Sequence, residues 1–175
     1  MNGCGTVCGL ILLVITVIAA ILSYASTFWI SYTNGRNRGL WALCDVKGCT
    51  WIFQVERGII DDISKEVWFI AVQILMSAGV ILSLLGLVVA SCLMCCRKES
   101  CSPYGTIGGL CLTTFLFMGA ALILFVVKTS EDHNVKATFG NTNSTTFGWS
   151  FWVAVGATVL SLVTAGVYRC SSRND

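Results

Sequence analysis

The chain has 175 residues, 55% of them hydrophobic and only 11% charged, with a net charge of +2 and a mean hydropathy of +0.79. A soluble domain carries about a quarter charged residues, so this composition excludes an ordinary soluble domain and points to a protein of the bilayer. Without a basic stripe or aromatics interleaved among basic residues, nucleic-acid binding is excluded as well.

Crossing the hydrocarbon core takes about 20 apolar residues. Four runs meet that length: 7–28, 67–93, 104–127 and 147–168. None contains Asp, Glu, Lys, Arg or His, and the most polar residue deep within one is Gln73. Ionisable groups inside the membrane mark transporters, pumps and proton relays, so the bundle is not expected to be one. The first run lacks a basic leader and is longer than a signal-peptide core, so it reads as a retained span. Residue 2 is Asn2, not the glycine that N-myristoylation needs. Ala19 and Ser23 lie four apart on one face of this span, a spacing that lets helix backbones approach closely.

The first loop covers 29–66. Its strand-like pieces are 29–33, 39–43 and 49–55, rich in aromatic and β-branched residues, with Asn34-Gly35 as a turn between the first two. Asp45-Val46-Lys47-Gly48 forms a turn between Cys44 and Cys49, which would bring the two cysteines face to face across a hairpin. Spacing alone leaves a disulfide, a free pair and a partial metal site open. Trp29, Leu40, Trp41, Trp51 and Phe53 make the loop unusually apolar. Trp29 and Trp41 read as interfacial belt and local core. Trp51 and Phe53 alternate along a strand and so share a face, which makes them a candidate partner surface. Five basic residues (Arg36, Arg38, Lys47, Arg57, Lys65) balance five acidic ones (Asp45, Glu56, Asp61, Asp62, Glu66), so no ion preference follows. Ile59, Ile60 and Ile63 fit one face of a helix over 54–66.

The second span carries two further close-packing pairs, Gly79/Ser83 and Gly86/Ala90. It leads into a polar turn at 94–103 with Arg97 and Lys98, where Pro103 disfavours one continuous helix; spans two and three are therefore antiparallel neighbours. Cys92, Cys95, Cys96, Cys101 and Cys170 gather near one membrane edge. There, Cys92, Cys95, Cys96 and Cys170 are candidate S-palmitoylation sites, each buried methylene adding about 0.8 kcal/mol of membrane affinity. Adjacent cysteines ligate one ion awkwardly, so no metal site is expected among them. The third span carries Gly105, Gly109 and Gly119. The second loop, 128–146, holds a glycosylation sequon at Asn143-Ser144-Thr145. Phe147-Gly148-Trp149-Ser150-Phe151 opens the fourth span, and 169–175 forms a short tail.

The order Trp29, Gly39-Leu40-Trp41, Cys44, Cys49 resembles the first-loop signature of the claudin superfamily. That superfamily comprises claudins, peripheral myelin and epithelial membrane proteins, and the gamma subunits of channels and receptors. The third-span glycines and the Phe147–Phe151 run look like the same family. The resemblance implies an all-α membrane protein: a four-helix transmembrane bundle with a small extracellular antiparallel β-sheet from the first loop. It implies a Cys44–Cys49 disulfide on the oxidising side, a Gly39-Leu40-Trp41 element capping the bundle, and acylation at Cys95 and Cys96 in particular. Two features depart from vertebrate tight-junction claudins. Cys44 and Cys49 lie closer together than the matching pair, and the tail Arg173-Asn174-Asp175 lacks the hydrophobic dipeptide that docks a PDZ scaffold. Both bring the chain nearer the short-tailed myelin and epithelial branch or invertebrate claudin-like proteins.

Basic residues argue the other way on orientation: four (Arg97, Lys98, Arg169, Arg173) lie on the side this reading calls cytoplasmic and seven on the other, against the positive-inside rule. The cysteine pair and the sequon belong outside the cell, and they decide for cytoplasmic termini at the plasma membrane. No enzyme is expected. His133 lies in a polar loop with no nucleophile or carboxylate constellation, and Asp61 and Asp62 would point about 100° apart on a helix. No cofactor is expected. Two functions fit: a cell-contact protein that forms or modulates a paracellular barrier through its loops, with itself or other claudin-like proteins as partner, or an auxiliary subunit packed on a pore-forming channel or receptor.

Overall fold

A computed structural model describes residues 3–32, 35–51, 67–95, 104–131 and 145–173. Four helices dominate: α1 (Gly3–Ala25), α2 (Val67–Cys95), α3 (Tyr104–Glu131) and α4 (Trp149–Arg173). Each contains a stretch long and apolar enough to cross a membrane. In lipid the backbone must satisfy its own hydrogen bonds, and a helix does so within one segment. That requirement overrides the modest helix propensity of the isoleucine- and valine-rich sequence.

The helices form a ring in which α1 packs on α2 and α4, and α3 packs on the same two, with α1–α2 the least extensive seam. Neighbours are antiparallel: Gly9 lies against Tyr168 and Gly5 against Ser171, while Gly119 lies near Thr158 and Gly108 against Arg169. Tyr104 stacks on Tyr168 at 6.5 Å, so the start of α3 and the end of α4 share the end of the bundle where α1 begins. Isoleucines and leucines such as Ile11, Ile15, Ile18 and Leu22 recur at three and four residues on the exposed face of α1, while Leu13, Val17 and Ala20 face inward. Both faces are apolar, as expected where the outer one meets lipid.

The small-residue pairs on α2 are used inside the bundle. A Cβ on Gly79 would fall 2.5 Å from Met118 Cγ, and Gly86 faces Leu110. Ser83 and Ala90 are buried too. Ser23 of the α1 pair is likewise buried. The buried apolar residues form two clusters. One, at the end where α1 finishes, is aromatic-rich and includes Trp29, Phe69, Phe125 and Phe151. The other, towards the chain termini, gathers mainly aliphatic groups, among them Leu13, Ile107 and Cys111, around Tyr168.

A five-stranded antiparallel sheet caps the aromatic end: β1 (Ile30–Tyr32), β2 (Asn37–Arg38), β3 (Ala42–Asp45), β4 (Gly48–Trp51) and β5 (Thr145–Phe147), in the order β4-β3-β2-β1-β5. The sheet therefore does not come from the first loop alone. β5 pairs with β1, Ile30 opposite Phe147, and Phe147, expected to open the fourth span, ends this strand. The chain turns into α4 at Gly148, where any Cβ would sit 2.0 Å from the Phe28 carbonyl oxygen. The expected strand over 39–43 is also divided. Gly39 N–H donates to the Ala42 carbonyl at 2.9 Å, so Gly39–Trp41 makes a local bend between β2 and β3. β2 itself is two polar residues without alternation, which gives no sequence signal. Gly35 takes a positive φ of 79°, as a turn glycine does; Asn34 lies outside the described residues.

Candidate functional site

The residues singled out by sequence fall into two structures joined by the sheet. The first is a collar where the sheet meets the bundle. Trp29 is 1% exposed. Its indole N–H donates to the Ser23 carbonyl at 2.8 Å, and its ring meets Phe125 edge-on at 5.1 Å and Phe151 at 6.0 Å. A buried Trp needs this pairing of apolar contact and a partner for its N–H. Gly39 packs flat on the linker after α1, since a Cβ there would lie 2.4 Å from Ser26 O. Leu40 is fully buried, and its carbonyl accepts from Gln73 Nε2. This contact explains the one strongly polar residue deep in a span: Gln73 satisfies a loop carbonyl that would otherwise be buried unpaired. Trp41 is half-buried and packs edge-on against Tyr24 at 5.3 Å. The Tyr24 hydroxyl meets Ser77 Oγ at 2.8 Å, and Ser77 in turn donates to the Gln73 carbonyl at 2.6 Å. These contacts pin the α1–α2 seam at the sheet end.

The first turn of α4 closes the collar. Gly148 N–H donates to Trp29 O at 2.9 Å, Ser150 N–H to Phe28 O at 3.2 Å, and Ser150 Oγ to Ser26 Oγ at 2.7 Å. The Phe147–Phe151 run thus contributes the last strand of the sheet and the helix cap, with Phe147 and Phe151 stacked at 4.5 Å. Arg38 is the collar member that sequence reasoning missed. Counted as one loop charge among ten, it is 5% exposed, with its guanidinium 4.8 Å from the Phe69 ring centroid. A cation over an aromatic face is favourable when desolvated. The only sequence signal was its place directly before Gly39.

The second structure is the β3–β4 hairpin, rooted at buried Ala42 and exposed along its turn and β4. Cys44 and Cys49 face each other across it and are joined by a disulfide. The turn is Val46-Lys47, closed by the Asp45–Gly48 pair, with Gly48 at φ 142° and Asp45 Oδ1 accepting from Val46 N–H at 2.7 Å. Arg36 Nε lies 3.9 Å from Asp45 Oδ2, an exposed pair that contributes little. All four residues of β4 are exposed, Val46 is 85% exposed and Trp51 46%. Trp29 is buried and Trp41 partly so, whereas Trp51 of the hairpin leaves nearly half its surface exposed. Phe53, expected to share the face of Trp51, lies outside the described residues.

Cys8, Cys92 and Cys170 are exposed and Cys111 is buried. Cys95 is the last residue of α2. Cys96, Cys101, His133, Asp61, Asp62 and Asn143 lie outside the described residues, although Thr145 of the sequon begins β5.

Four apolar helices, a sheet capping one end, a Trp–Gly-Leu-Trp collar and a disulfide hairpin describe a multi-pass membrane protein of one architecture. A search of curated proteins returns no match. The model of the PMP-22/EMP/MP20/Claudin family matches residues 4–168, nearly the whole chain, and the protein belongs to that family.

Proposed function

We propose that the chain is a plasma-membrane protein of cell contacts, with the sheet outside the cell, both termini cytoplasmic, and the β3–β4 hairpin as the surface that meets another copy or a related protein and so forms or modulates a paracellular barrier. The observation that carries this reading is the hairpin's exposure. It is covalently braced by Cys44–Cys49, yet it offers an exposed indole at Trp51 and an exposed Val46 to solvent. Aromatic side chains of this kind anchor protein interfaces. The exposed thiols of Cys92 and Cys170, with Cys95 and Cys96 close to Cys92 in sequence, are the acylation sites that hold the cytoplasmic edge to the bilayer, and Asn143 is the glycan acceptor on the outer side. The competing reading is an auxiliary subunit packed laterally on a channel or receptor. The small-residue faces of the spans and their lack of charge fit it as well; within α2, Gly79 lies against Met118 and Gly86 near Leu110 of α3.

The test is distribution at cell contacts. A tagged chain expressed in adhesion-poor cells, mixed with non-expressing cells, is expected to concentrate only where two expressing cells touch. Uniform surface signal would sink the contact reading, and a channel co-purifying from native membrane would put the auxiliary role in its place.

A further inference from the structure

Where the two apolar clusters meet, each helix places a buried hydroxyl in one layer: Thr16 on α1, at the inner edge of the terminus-side cluster, and Ser83 on α2, Thr114 on α3 and Ser161 on α4 between the clusters, none more than 3% exposed. Their common level follows from the packing. Gly9 meets Tyr168, and seven residues along both antiparallel helices bring Thr16 level with Ser161. Gly79 meets Met118, and four residues along bring Ser83 level with Thr114. The Tyr24–Ser77 and Gly119–Thr158 contacts tie the two pairs together to within two residues, about 3 Å along a helix.

The hydrogen-bond inventory of this layer is unbalanced. Thr16 donates to the Leu12 carbonyl at 2.8 Å, Ser83 to Val80 at 2.8 Å and Ser161 to Thr158 at 2.7 Å. Each of these oxygens keeps lone pairs able to accept. Thr114 Oγ1 is buried and has no hydrogen-bond partner among the described residues. Its neighbour Thr113 bonds back to the Gly109 carbonyl at 2.9 Å, so α3 offers that route and Thr114 does not take it. Ser23 and Thr129 also carry buried unpartnered hydroxyls, but they lie towards the sheet end, away from this layer.

We propose that the layer binds one water molecule at the middle of the bundle, independent of what the extracellular sheet does. The water accepts a hydrogen bond from the Thr114 hydroxyl and donates one to each of two of the three lone-pair acceptors, Thr16, Ser83 and Ser161. One idle donor and several idle acceptors complement one water, and buried waters make about three such bonds. A cation does not suit the layer, because no carboxylate is present to offset its desolvation.

The test uses the full chain in lipid. Proton-detected NMR is expected to show magnetisation transfer from water to the Thr114 methyl group, although this residue is 1% exposed and at mid-membrane. Absence of that transfer in the folded wild-type protein overturns the proposal, including the case in which Thr114 bonds directly to a neighbouring hydroxyl. Thr114→Val keeps the shape and removes the hydroxyl. It is expected to lower Tm by about 2–4 °C, whereas Thr114→Ser stays close to wild type. A Thr114→Val protein that melts at or above the wild-type temperature overturns the proposal as well.

Discussion

The collar and the hairpin are built from one stretch of chain, residues 29–51, yet their surroundings are opposite. In the collar Trp29 and Leu40 have essentially no exposed surface, and Gly39 has no room for a methyl group. Ten residues on, every position of β4 is exposed. Composition does not separate them, since both are rich in Trp and flanked by charge. The separation comes from what each meets: the collar is closed by the end of α1 just before it and by two segments distant in sequence, Gln73 on α2 and Gly148–Ser150 at the start of α4, whereas the hairpin is closed by its own disulfide. A region held by distant parts of the chain is part of the fold, and a region that holds itself together is free to meet a partner.

The sharpest way to break this division is to disturb the collar backbone. Gly148→Ala places a methyl group 2.0 Å from Phe28 O, and Gly39→Ala one 2.4 Å from Ser26 O, both against backbone that cannot swing aside. Neither variant is expected to reach the cell surface in folded form, as read by surface biotinylation. Trp29→Ala removes the ring between Phe125 and Phe151 and is expected to cost about 3–5 kcal/mol, measured by thermal unfolding in detergent. Wild-type melting of any of these three proteins would mean that the collar does not organise the fold.

Gln73→Leu is the next largest. It strips the Leu40 carbonyl of its partner in a buried site, and an unsatisfied buried acceptor costs about 1–3 kcal/mol. Gln73→Met tests the same contact differently, because it keeps the side-chain length but has no hydrogen to donate to that carbonyl, so it should do no better than leucine. Removing the disulfide with paired Cys44→Ala and Cys49→Ala changes is expected to cost about 2 kcal/mol on the chain-entropy view of so short a loop. Here the location of the effect matters more than its size. Amide exchange is expected to rise in β3 and β4 and to stay unchanged in α1 to α4. If the helices loosen too, the hairpin is coupled to the bundle and the division fails.

Much of this arrangement was legible in the sequence, and what was missed shares a cause. The four spans are visible because lipid demands long uncharged apolar runs. The hairpin is visible because Cys44, a four-residue turn and Cys49 are local. β5 was hidden because it pairs with β1 across more than a hundred residues, and its aromatic end merges into the apolar run of α4. Arg38 entered only as one of ten loop charges, because its partner Phe69 lies on α2, well away in sequence. Gln73 stood out as polar, but its role could not be read until Leu40 was placed above it. The small-residue stripe of α2 was visible, but a period of four says that something packs closely there and not whether it is α3 or another protein. Local chemistry and solvent preference were readable; contacts made by distant segments were not.

The smallest expected change in stability is the one that bears most directly on function. Trp51 pairs with Ala42 at the free end of the sheet and leaves nearly half its surface exposed. Trp51→Ala therefore removes little buried contact, and its effect on unfolding should fall within about 0.5 kcal/mol. The same change should abolish enrichment at contacts between expressing cells if the hairpin is the meeting surface, because a solvent-facing indole is the group most able to fill a partner's pocket. The two readouts must separate. A variant that melts several degrees lower shows Trp51 to be an extension of the collar, and one that melts normally but still gathers at contacts moves the meeting surface off the hairpin. Only unchanged melting with lost enrichment keeps the exposed half of the loop as the part that acts and the buried half as the part that holds it in place.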